Sequence, residues 1–79
     1  MNFRRLKKRL AKFNILWDAS LGSGSHGAFV GLSHNTQTRQ LYTLPKSQQT
    51  EVSAKYLKPL RRAFELTEEY GVSDQDFFG

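Results

Sequence analysis

Phe3, Leu6, Leu10 and Phe13 recur at spacings of three, four and three in "NFRRLKKRLAKF", which puts them on one side of a helix. The other sides carry Arg4, Arg5, Lys7, Lys8, Arg9 and Lys12. This stretch constrains the fold more than any other. So many like charges repel at i,i+4, and a helix this short is marginal in water, so its apolar stripe must dock on a larger apolar surface. Asn2 stands where its side chain can cap the first turn.

The receiving surface follows directly. "ILWDAS" alternates Ile15, Trp17 and Ala19 with Leu16, Asp18 and Ser20, and "HGAFVGLS" alternates His26, Ala28, Val30 and Leu32 with Gly27, Phe29, Gly31 and Ser33. "RQLYTL" reads as a third strand stopped by Pro45, and polar "SHNTQTR" as the hairpin connection before it. If Ala28, Val30 and Leu32 face the core, His26 shares their side at the mouth of the strand, where a twist or bulge turns it outward.

After the polar stretch "PKSQQTEVS", Leu57, Leu60, Phe64 and Thr67, flanked by Ala63 and Tyr70, give a second helix its apolar side. Proline is well tolerated at the first helical position, so this helix is expected to begin near Lys58; the alternative is a start at Ser53 with a kink at Pro59. Gly71 is expected to close it in the left-handed conformation, leaving "VSDQDFFG" as a short docked tail. The expected architecture is α+β in the order α-β-β-β-α: a three-stranded antiparallel sheet with two helices packed on one face, in a single domain over residues 1–79.

Composition narrows the function. A chain of 79 residues has room for one small core, and the absence of cysteine removes disulfides and thiolate metal sites. Two histidines and scattered carboxylates show no metal-ligand spacing, so neither metal nor cofactor is expected. There is no apolar run of membrane-spanning length, and no basic segment is followed by the apolar region of a secretion signal, so a cytoplasmic protein without membrane attachment is expected. The net charge is +5, but residues 1–64 hold all twelve lysines and arginines against Asp18 and Glu51 alone. Such a surface suits a polyanion, because neutralised phosphates release counterions. A solvated cationic face meets the same description. The acidic end, from Glu65 to Asp76, reads as a solvated helix terminus or as a contact for the basic helix.

"GSHGAF", the strand ending "LYTLP", the helix near "LKPLRRAFEL" and the segment "YGVSDQDFF" together resemble the HicA (YcfA-like) family of bacterial mRNA interferase toxins. The likeness covers nearly the whole chain: a basic first helix, a Gly-Ser-His signature opening a strand, a strand ending in proline, a second helix, and a terminal Gly-Ile-Ser-like segment before an acidic residue and phenylalanine. Many relatives have a second histidine directly after the first, where this chain has Gly27. The resemblance implies a fold like that of double-stranded-RNA-binding domains, endoribonuclease activity on mRNA that depends on the signature histidine, here His26, and a HicB-like antitoxin protein that covers the site.

Histidine can take and return a proton near neutral pH, and RNA brings its own nucleophile in the ribose 2′-hydroxyl. A metal-free cleavage would use His26 as the base, with Arg39, Lys46 and amides of the Ser23–Ser25 turn, Gly24 included, stabilising the charge that develops on phosphorus. Gly24, Ser25, Arg5, Lys8, Arg9, Lys12, Arg39 and Lys46 are the candidate RNA contacts. His34 reads as a solvated loop residue at the far end of the strand, and Trp17 and Tyr42 as core residues that can also stack bases. A non-cleaving module of the same fold, binding RNA or only its antitoxin, is the competing reading. A DNA-binding protein has the charge but not the helix-turn-helix spacing.

Overall fold

A computed structural model describes residues 1–22, 24 and 26–79. Helix α1 spans Phe3–Ala11, followed by strands β1 (Leu16–Asp18), β2 (Gly27–Leu32) and β3 (Arg39–Leu44), helix α2 (Ala54–Ala63) and a short helix α3 (Asp74–Phe78). The strands form one antiparallel sheet in the order β1-β2-β3. This is the expected α+β class, with α3 where a docked tail was expected.

The basic helix forms as its stripe requires. Asn2 accepts a hydrogen bond from the Arg5 amide at 3.1 Å, and Phe3, Leu6 and Leu10 are buried. They join Ile15, Phe29, Leu44, Leu57, Leu60, Phe64 and Phe77 in one core between the helices and one face of the sheet.

That face is not the one the alternation of β2 suggested. Trp17, Phe29 and Tyr42 stand opposite one another across the three strands, with Phe29 fully buried and Trp17 and Tyr42 packed against the core. Val30 and Leu32 lie on the other face with Leu16 and Leu41, where Leu16, Leu32 and Leu41 are 64%, 47% and 43% exposed. The helix-facing side of β2 is therefore Gly27, Phe29, Gly31 and Ser33. Its glycines are steric requirements: a Cβ on Gly31 would lie 2.8 Å from Ile15 Cγ1.

Helix α2 begins at Ala54, not near Lys58, and runs through Pro59. The ring sits on an exposed face, where the carbonyl deprived of a partner can be hydrated, so the sequence rule against interior proline is relaxed. The helix also stops earlier than expected. Glu65 takes a left-handed conformation (φ 57°), with the Leu66 amide donating to the Arg61 carbonyl at 2.7 Å and the Glu65 amide to that of Arg62 at 3.2 Å. This is a Schellman closure with glutamate in the place usually taken by glycine. Thr67 and Tyr70 consequently lie outside α2, and Leu66 becomes a core residue. Gly71 is left-handed as expected (φ 86°), but it ends a 3-10 turn over Glu68–Tyr70.

The irregular closure at Glu65 is held by its own side chain. Oε1 accepts from the Thr36 amide at 2.8 Å, the Thr36 hydroxyl at 2.9 Å and the Asn35 amide at 3.1 Å, tying the β2–β3 loop to the end of α2. The Thr36 amide is the largest of the influences that hold the carboxyl below its ordinary value of about 4.5. A carboxylate with a lowered folded pKa stabilises the fold above its unfolded pKa, and that contribution disappears as pH falls through the folded value. Glu65→Gln should therefore melt earlier at neutral pH and lose part of the wild-type's acid sensitivity between about pH 5 and pH 3. Parallel thermal melts check this; identical pH profiles would show that the carboxylate carries no stability.

Candidate active site

The chain between β1 and β2 starts with a local lock. Asp18 Oδ1 accepts from both the amide (2.9 Å) and the hydroxyl (2.6 Å) of Ser20, and these bonds, the hydroxyl first, hold the Asp18 carboxyl below its ordinary value. Gly22 and Gly24 then adopt positive φ, 93° and 64°, as glycine permits. A Cβ on Gly22 would come within 2.9 Å of His26 Cβ, so the turn folds closely against the histidine. Ser23 and Ser25 lie outside the described residues, and with them the expected contact from Ser25.

His26 immediately precedes β2 and is half-buried. It lines an open recess of about 250 Å³ together with Trp17, Ala19, Gly24, Gly27, Lys46 and Gln49. Lys46 reaches this place because Pro45 ends β3, whose Leu44 is paired with Gly27, and opens a 3-10 turn over Lys46–Gln48. The turn is secured by the Gln49 side-chain amide, which donates to the Leu44 carbonyl at 3.2 Å, and by Gln48 Oε1, which accepts from the Ser53 amide at 2.8 Å. The indole of Trp17 forms a wall of the recess, seated edge-on against Phe3 and Phe29 with ring centroids 5.0 and 4.9 Å away. An imidazole, a cation and an aromatic surface thus share one opening.

The other anticipated contacts are distributed differently. Arg39 pairs with Leu32 at the opposite end of the sheet from the Gly27–Leu44 pair. Five strand steps, about 17 Å, separate it from the histidine's end, so Arg39 and Lys46 do not act on one phosphate. On α1, the Arg9 guanidinium donates to the Phe77 carbonyl at 2.9 Å and the Asp76 carbonyl at 2.7 Å, and Arg5 donates to the Phe78 carbonyl. These two residues satisfy the C-terminal carbonyls of α3. The acidic end thus meets the basic helix through backbone oxygens, while its Asp74 pairs with Arg61 of α2 at 2.8 Å. Lys8 and Lys12 are exposed.

Two features escaped the sequence reading. Gln49 lines both the His26 recess and a second recess of about 410 Å³ with Asn2, Phe3, Arg4, Lys7 and Thr50. The second is the seat of Gly27, where a Cβ would fall 2.7 Å from Trp17 Cη2, 2.9 Å from Cε2 and closer still to Cζ2. Flanking of Phe29 by glycines two residues away on either side was the available signal of close approach. His34 is exposed at the far end of the sheet, its ring edge-on to Phe13 at 5.7 Å.

Among the described residues, no group of three or more histidine or acidic side chains is arranged to hold a metal, and no helix is long and apolar enough to cross a membrane. No family model, curated protein or solved structure matches the chain. The fold itself defines an α+β protein whose element order is broadly that of double-stranded-RNA-binding domains.

Proposed function

We propose that this protein is a HicA-like mRNA interferase, a toxin that cleaves RNA without metal, using His26 as its acid–base group. The observation that carries the reading is the shared recess of His26, Lys46 and Trp17. The imidazole takes the proton of a ribose 2′-hydroxyl, and the alkoxide attacks the adjacent phosphorus. The 5′-oxygen leaves with a proton from water, giving a 2′,3′-cyclic phosphate and a 5′-hydroxyl. Lys46 offsets the charge that develops on the phosphoryl oxygens, and the Trp17 indole offers a face for a base. A HicB-like antitoxin is the partner that covers this opening.

The test is a substrate with a single 2′-deoxy nucleotide 5′ of the cut. It lacks the nucleophile but retains the phosphate contacts, so binding should persist while cleavage stops, in the presence of a chelator throughout. Cleavage of the deoxy strand would overturn the mechanism, because the nucleophile would then be water. Binding of both strands with cleavage of neither would leave a non-catalytic RNA-binding module.

A further inference from the structure

The five cations of α1 and its C-cap Lys12 differ in what they meet. Arg5 and Arg9 are held on the carbonyls of α3, Lys8 is exposed and Lys12 borders a separate recess with Phe13 and His34, whereas Arg4 and Lys7 line the recess that adjoins the His26 opening through Gln49. The two are one turn apart on the same flank of the helix. Lys7 is steadied over the Phe3 ring, its Nζ 5.0 Å from the centroid.

The floor beneath them is fixed. The Phe3 amide donates to the Thr50 carbonyl at 3.0 Å, and the Val52 amide to the Met1 carbonyl at 2.7 Å, fastening the start of α1 to the chain that follows the Lys46 turn. The carboxylate in that chain, Glu51, is paired with the terminal ammonium of Met1 at 2.6 Å. Two cations consequently face the recess beside an acid that is already neutralised.

We propose that Arg4 and Lys7 form a phosphate subsite for single-stranded RNA, next to the nucleotide at His26; the identity of the ligand as RNA rests on the function proposed above. Two adjoining recesses, one with an aromatic wall and one with paired cations, match the way single strands are held: bases on π faces and the backbone along positive charge. The subsite positions the strand and has no part in proton transfer. Its loss therefore falls on affinity and KM more than on kcat.

The probe is a fluorescein-labelled single strand of about ten nucleotides, 2′-O-methylated throughout so that it cannot be cut, titrated by anisotropy across salt concentrations. Arg4→Gln/Lys7→Gln should weaken binding roughly tenfold or more near 0.1 M salt. Its plot of log affinity against log salt should be shallower by about 1.4, two contacts at about 0.7 each. Lys55→Gln/Lys58→Gln, matched in charge, exposed on α2 and bordering neither recess, should retain most of the affinity; thermal melts of both variants establish that they are folded. Unchanged affinity and slope in the first variant, or equal losses in both, would overturn the subsite, since attraction would then be diffuse. The readout involves no cleavage. A protein that binds through Arg4 and Lys7 but does not cut refutes the nuclease and keeps the subsite, and one that cuts with indifference to them does the reverse.

Discussion

His26→Ala is expected to lower RNA cleavage by about 10²–10⁴-fold, the range typical for loss of a positioned acid–base group. The side chain lies at the mouth of β2 and outside the buried core cluster, so the variant should melt close to the wild type. It should also bind an uncleavable strand with little change, because in the proposed mechanism the imidazole acts on the reacting hydroxyl and cations meet the phosphates. Lys46→Gln should cause a smaller loss of about tenfold, expressed in kcat, since an exposed cation is partly replaced by water in stabilising the transition state. The measurement is single-turnover cleavage of a labelled RNA in chelator, alongside anisotropy. Wild-type rates from His26→Ala would remove the histidine from the chemistry.

Gly27→Ala should cost about 2–3 kcal/mol, lowering Tm on the order of 10–20 °C in a domain of this size, because the methyl group would enter the space held by the indole of Trp17. Gly27→His should be worse. The steric cause can be isolated by a double-mutant cycle with Trp17→Leu, which vacates the same volume. Adding Gly27→Ala to that background should cost less than adding it to the wild type, with a coupling of about 1 kcal/mol or more. An unchanged melt for Gly27→Ala, or strictly additive losses, would show that the contact is not limiting.

The parts of the fold that were legible in the sequence are those whose signal is local. Phe3, Leu6 and Leu10 mark α1, Asn2 marks its start, and period-two alternation with Pro45 marks the strands. The face of β2 was not legible in the same way. Hydrophobicity favours Ala28, Val30 and Leu32 as the helix-facing set, and Ala28 is indeed buried, but the face turned to the helices is chosen by partners distant in sequence, Trp17 and Ile15, which occupy the space left by Gly27 and Gly31. The end of α2 was hidden for a similar reason. Glutamate is a poor guide to a left-handed helix closure, and Glu65 serves as one because its carboxylate is bound by a loop some thirty residues earlier.

The site was readable in its center and unreadable at its edges. His26 was named from the resemblance carried by Gly-Ser-His and Lys46 from its charge; the two share a recess, and Gly24 lies in its lining. The separation of Arg39 follows from strand register, and the engagement of Arg5 and Arg9 from where α3 docks. Neither is encoded near those residues. Arg4 and Lys7 differ from their neighbours only in the direction that the helix gives them.

The seat of Trp17 gives the molecule a built-in optical probe. It is the chain's single tryptophan, and it belongs both to the packed junction of Phe3 and Phe29 and to the wall of the His26 opening. Its emission is thus expected to report two events: occupation of the opening by the base of the proposed RNA ligand, and release of α1 from the sheet on unfolding. The two are separable by excitation-independent means. Ligand stacking quenches the signal at constant melting behaviour and saturates with concentration, whereas release of α1 shifts the spectrum to the red and follows the unfolding curve.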